Sequence, residues 1–98
     1  MITMNSQTIK NALSDLNPDA VFFENMDAAL IGFGTVAHHD PVAVYSKQRI
    51  FSTLFLDGFS REEATAYYLE GFVSFSAGIN TPVIIDDMFE MFEDDIRG

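Results

Sequence analysis

The chain has no cysteine and no tryptophan, and it is poor in positive charge. Without cysteine there can be no disulfide, thiolate zinc site, iron–sulfur cluster or thiol nucleophile. Five lysines and arginines face fifteen aspartates and glutamates, a formal net charge of −10. A surface of that sign is repelled by phosphate and by anionic lipid, which disfavours direct nucleic-acid binding and a membrane-surface role. No segment approaches the ~20 apolar residues needed to span a bilayer. Residues 1–17 lack the basic start and apolar stretch of a secretory signal, so the expected location is the cytoplasm.

What is present is a globular composition. Of the 98 residues, 48% are hydrophobic and 13% aromatic, which suits one modest core and a single domain over residues 1–98. Residues 6–16 read as a short helix capped by Ser6, with Ile9, Leu13 and Leu16 at helical spacing. Asn17-Pro18-Asp19 ends it, because the residue before proline avoids helical backbone. Residues 20–23 read as a strand or the lead-in to one, and residues 25–27 as a turn. Residues 28–36 have the β-branched and aromatic content of a strand, with Gly32 and Gly34 on one face. Two missing side chains on one face let something pack close to the backbone, or mark a bulge.

After the His38-His39-Asp40 loop, residues 41–45 read as a second strand. Ser46 is placed to cap a helix over residues 47–57, with Ile50, Phe51, Leu54 and Phe55 as its apolar stripe and Gly58 beyond its end. Ser60 and Glu63 have capping-box spacing, the strongest local signal in the chain. The helix they open is expected to be the longest element and to run to about Phe75. Its inward residues are expected to be Ala64, Tyr67, Tyr68, Gly71, Phe72 and Phe75, although adjacent tyrosines cannot both point inward. Residues 81–85 read as a last strand, and Asp86 or Asp87 as the cap of an acidic C-terminal helix. The predicted class is α+β: a small, mainly antiparallel or mixed sheet of three to four strands, helices packed on one face, and that acidic helix at the end.

Several pieces form a recurring pattern: Pro18-Asp19-Ala20, Asp27-Ala28-Ala29-Leu30-Ile31-Gly32, Pro41-Val42-Ala43-Val44-Tyr45, Gly58-Phe59-Ser60-Arg61-Glu62-Glu63-Ala64, Tyr67, Glu70 and Asn80-Thr81-Pro82. In order and spacing, this pattern resembles a small family of uncharacterised phage and prophage proteins, over about two thirds of the chain. The chain departs from it after Glu70, where such proteins usually carry an Asn and a bulky residue before the final Gly and this chain reads Gly71-Phe72-Val73-Ser74-Phe75-Ser76-Ala77-Gly78, and in its acidic C-terminal helix. The resemblance implies a phage-linked origin and a fold, and carries no activity with it.

No catalytic constellation is legible. His38, His39 and Asp40 have metal-ligand chemistry, but adjacent histidines on an extended chain diverge and a catalytic metal needs about three convergent ligands. Gly32-Phe33-Gly34 begins like a phosphate loop, yet no helix start and no cations follow it. No catalytic residue, metal or cofactor is therefore expected. The set Phe51, Phe55, Phe59, Tyr67, Tyr68, Phe72 and Phe75 reads as core, with one tyrosine left for an interface.

The acidic stretch is the candidate binding element: Asp86, Asp87, Glu90, Glu93, Asp94 and Asp95, interleaved with Phe89 and Met91. Acids at 93–95 oppose the helix dipole and repel one another, so stability alone does not account for them. Carboxylates along a helix can be spaced like DNA phosphates. The expectation is an inhibitor or modulator, of the anti-restriction or anti-CRISPR kind, that meets the basic nucleic-acid-binding surface of a host protein. The alternatives are a homo-oligomeric accessory protein with an aromatic dimer face and, third, a small metal-dependent hydrolase built on His38, His39 and Asp40.

Overall fold

A computed structural model describes residues 5–88 of the chain. Among the described residues, three α-helices and a three-stranded mixed sheet make an α+β fold. Helix α1 (Ser6–Leu16), at 11 residues, is the longest uninterrupted α-helix among the described residues. Its cap is Asn5, whose side chain accepts from the Thr8 N–H at 2.8 Å, and not Ser6. Asn and Ser cap equally well, so the sequence could not choose between neighbours. Ile9 and Leu13 are buried, but Leu16 is 55% exposed. The helix ends there, and the buried position passes to Asn17.

The chain then crosses residues 20–26 without forming a strand, turns at Asn25 in left-handed backbone, and makes one 3₁₀ turn, Asp27–Ala29. The first strand is therefore shorter than the sequence suggested: β1 is Leu30–Gly34. It pairs antiparallel with β2 (Val42–Ser46), with an irregularity between Leu30 and Gly32 that leaves Ile31 as the extra residue of a bulge. Strand β3 is only Val83–Ile85, parallel to β2, and completes the order β1-β2-β3.

Between β2 and β3 lie α2 (Lys47–Leu56) and α3 (Arg61–Tyr68). Helix α2 follows β2 with no loop, because Ser46 ends one element and caps the next. Gly58 follows it with φ of 97°, a conformation open to glycine at little cost. The capping box of α3 is complete: Ser60 N–H donates to Glu63 at 2.9 Å, and Glu63 N–H donates to the Ser60 hydroxyl at 3.1 Å. Beyond Tyr68 the helix widens into a π-type turn, Leu69–Val73, and stops short of Phe75. The expected long regular helix is thus replaced by a short one with a wide last turn. Gly71 faces solvent, and Phe75 is half out, its ring edge against Phe23 at 5.5 Å. Of the adjacent tyrosines, Tyr68 is 8% exposed and Tyr67 49%.

All three helices pack on one face of the sheet. That face presents Leu30, Phe33, Ala43, Tyr45 and Ile84, which join Ile9 and Leu13 of α1, Ile50, Phe51 and Leu54 of α2, and Ala64 and Tyr68 of α3. Phe72 closes the core from the π-type turn, with its ring 4.8 Å from Phe23 in an edge-to-face contact. Phe72→Ala is expected to cost about 3–5 kcal/mol, as truncation of a buried aromatic does. Chemical denaturation checks it, and an unaltered midpoint would place Phe72 outside the core.

Candidate binding surface

The residues singled out by sequence separate into three places. His38, His39 and Asp40 lie in the exposed β1–β2 loop, where His38 adopts φ of 66° and His39 N–H closes a turn on the Val36 carbonyl. Among the described residues no three His, Asp or Glu side chains gather as a metal site. The aromatic set divides as well. Phe51, Tyr68 and Phe72 are core, whereas Tyr67 lies outside with Phe59 against it at 5.2 Å.

Of the acidic stretch, Asp86 and Asp87 are within the described residues, and Phe89, Glu90, Met91, Glu93, Asp94 and Asp95 lie outside them. The two described aspartates differ in role. Asp86 is exposed, with Lys47 Nζ at 3.7 Å. Asp87 is tied into the fold. The Ser46 hydroxyl donates to its Oδ2 at 2.5 Å and the Gln48 N–H donates to its Oδ1 at 2.8 Å. Ser46 Oγ in turn accepts from Arg49 N–H at 3.1 Å. One carboxylate and one hydroxyl together satisfy two of the otherwise unpaired N–H groups at the start of α2. The negative charge also sits at the positive end of the helix. The next residue, Met88, is buried in the core. Asp87 therefore caps α2 from 41 residues away, a contact that no local spacing could signal.

The electrostatics follow from this geometry. Burial by itself would push the Asp87 carboxyl up. The Ser46 and Gln48 bonds and the nearby Arg49 outweigh it and hold the group below the usual carboxylate value. Tyr68, beside the two aspartates, is pushed up, by burial first and by the charges of Asp86 and Asp87 next. Lys47 Nζ lies 5.3 Å from the Tyr68 ring centre.

Two further polar residues were missed by sequence reasoning. Asn17 is buried; its Nδ2 donates to the Pro41 carbonyl at 2.9 Å and to Asn80 Oδ1 at 3.0 Å, and its Oδ1 accepts from Asp19 N–H. Tyr45 is wholly buried, and its hydroxyl accepts from Phe23 N–H at 2.9 Å. Its hydroxyl is pushed up, mainly by burial, with the Asp27 charge adding to this and the Phe23 bond opposing it. Both serve the fold. Through them Pro41, Tyr45 and Asn80 each sit at a joint between distant segments.

Comparison with protein-family models, with curated proteins and with solved structures finds no match. No helix among the described residues is long and apolar enough to cross a membrane.

The Asp87 clasp has a pH signature. A carboxylate held below its ordinary value contributes stability that is full above the usual carboxylate range and is lost as the pH falls through that range. Asp87→Asn is expected to lower stability at neutral pH by about 1 kcal/mol, the usual scale for a lost helix cap. It should also flatten the acid limb of stability against pH. Melting curves from neutral to acid pH check this; an acid limb as steep as wild type would show that the carboxylate is not what holds the clasp.

Proposed function

We propose that the chain is a non-catalytic binding protein of the phage-borne accessory type its residue pattern resembles, which occupies the basic surface of a host protein that handles nucleic acid. The observation that carries this reading is the charge imbalance. Fifteen carboxylates face five bases, so ten remain uncompensated whatever the pairing. Some of the acids have structural work. Asp87 and Glu63 serve as caps, and Asp27 pairs with Lys10 at 2.6 Å. Glu90, Glu93, Asp94 and Asp95 add four like charges within six residues, and like charges that close repel one another in the absence of a counter-charge. A basic partner supplies that counter-charge, and complementary fields raise the association rate most at low salt.

A homodimer is the second reading, favoured by the exposed apolar side chains Leu69 and Val73 on the outer side of α3 and its π-type turn. Light scattering over a dilution series separates the two, since a monomer at micromolar concentration removes the dimer.

The acidic reading is tested by converting Glu90 and Glu93 to Gln, and Asp94 and Asp95 to Asn, in one variant. The expected melting temperature is that of wild type or slightly higher. Partners retained from bacterial lysate by the wild type at low salt should be lost in the variant, and lost from wild type near about 1 M salt, where the Debye length is ~3 Å. Retention that ignores both the charge removal and the salt would overturn the proposal.

A further inference from the structure

We infer that the Asp57-Gly58 peptide is a covalent modification site, where aspartate isomerises spontaneously to isoaspartate, and that the end of α2 holds this chemistry in check. Among the aspartates and asparagines of the chain, Asp57 alone precedes a glycine. Ring closure between a side-chain carboxyl and the next backbone nitrogen is fastest there, because glycine has no Cβ to crowd the attacking atom. The Gly58 nitrogen bonds to Asp57 Cγ, and the carboxyl hydroxyl leaves as water with the amide proton. The product is a succinimide. Water then adds to one of its two carbonyls and breaks that C–N bond. Opening at Cγ restores aspartate. Opening at the main-chain carbonyl leaves Gly58 joined through Cγ, which is isoaspartate. One water leaves and one returns, so the mass is unchanged while the main chain is longer by one carbon.

The fold requires the reactive pair and also restrains it. Gly58 ends α2 in left-handed backbone, so the residue that closes the helix is the one that leaves Asp57 open to attack. Both residues are exposed, and water reaches them. Against this, Gly58 N–H donates to the Phe55 carbonyl at 3.0 Å, and Phe59 N–H donates to the Leu54 carbonyl at 3.0 Å. These are the two closing bonds of a Schellman motif. The attacking nitrogen is therefore committed to a hydrogen bond. Its direction is also wrong. Asp57 has ψ of 0°, which eclipses the Gly58 nitrogen with the Asp57 nitrogen. The succinimide ring instead needs the Gly58 nitrogen in plane with Asp57 Cβ. The peptide must swing about the Asp57 Cα–C bond to reach it, and that swing breaks the closing bonds.

Packing on the far side keeps the turn shut. Phe59 lies against the core and meets the Tyr67 ring of α3 at 5.2 Å between centres. Ser60, the next residue, opens the capping box of α3. The joint between α2 and α3 is thus fixed on both sides of the reactive peptide, and the reaction proceeds from the locally opened population. The product then acts on the joint. An added main-chain carbon between Leu54 and Phe59 prevents both closing bonds from re-forming at their former geometry, and it moves Phe59 from its place against Tyr67.

The test incubates the full-length chain in neutral buffer below its melting transition and, in parallel, in urea. Trypsin then releases the peptide 50–61, whose equal-mass isomers are separated by chromatography and counted by mass spectrometry. Labelled methyl transfer by an isoaspartyl methyltransferase counts the same product independently. Isoaspartate is expected at position 57 ahead of every other aspartate. It is expected to form about tenfold or more faster in urea, since only the opened fraction reacts in native buffer. Asp57→Glu keeps the charge but disfavours the ring; it is expected to melt with wild type and to yield no isomer. The isomerised fraction, once purified, is expected to melt below its parent. Equal rates in native buffer and urea would overturn the protection by the turn. A yield in urea no greater at position 57 than at the other aspartates would overturn the site. An isomerised fraction that melts with its parent would overturn the dependence of the joint on this peptide.

Discussion

Ser46 is the residue on which the most of the molecule depends. It is the last residue of β2 and the cap of α2, and it donates to the carboxylate that follows β3. A buried hydroxyl is tolerated only if it is bonded, and here it both donates and accepts. Through it the central strand, the first crossover helix and the end of the sheet share one hydrogen-bonded junction. The absence of a loop between β2 and α2 follows from it, because a strand can turn straight into a helix when one residue serves both. The burial of Met88, one residue past Asp87, fits the same arrangement.

A second polar tie lies at the other end of β2. Asn17 links the end of α1 to Pro41 and to Asn80, which lies 63 residues on. The sheet is thus held at both ends by side chains that reach across the sequence, with an apolar core between them. Such satisfied, buried polar contacts specify position more than they add net stability. They suit a chain whose strands are short: β3 contributes three residues to the ladder and gains its place from the ties at its ends.

The elements with local signatures were legible in the sequence. The Ser60–Glu63 capping box, Ser46 as a cap, Gly58 beyond α2 and the burial of Phe72 all follow from spacing within a few residues. The class of the fold followed from their order. What could not be read was non-local or degenerate. Asn5 and Ser6 are equally good caps; the strand ends were overdrawn because Thr81 and Pro82 look like strand but serve the turn, where Thr81 Oγ1 donates to the Gly78 carbonyl at 2.7 Å. The widening after Tyr68 has no marker in a helical pattern. Within the acidic stretch, composition groups Asp86 and Asp87 as equals. Only the packing of distant segments divides them into an exposed charge and a structural cap. Gly32 and Gly34 were legible as a pair on one face, and the pairing register then says which face it is.

The connection between β2 and β3 also bears on how the chain finds its fold. Val44 pairs with Val83 across both intervening helices, so β3 carries the longest loop closure in the sheet. Its few ladder bonds repay that entropy late. The β1–β2 hairpin and the two capped helices can assemble first, leaving β3 and the Asp87 tie as the final step and as the first segment to open in the native state. Amide hydrogens on β3 should then exchange through local opening at a lower free energy than those of β2, so that the sheet passes briefly through a two-stranded form each time the strand lifts away.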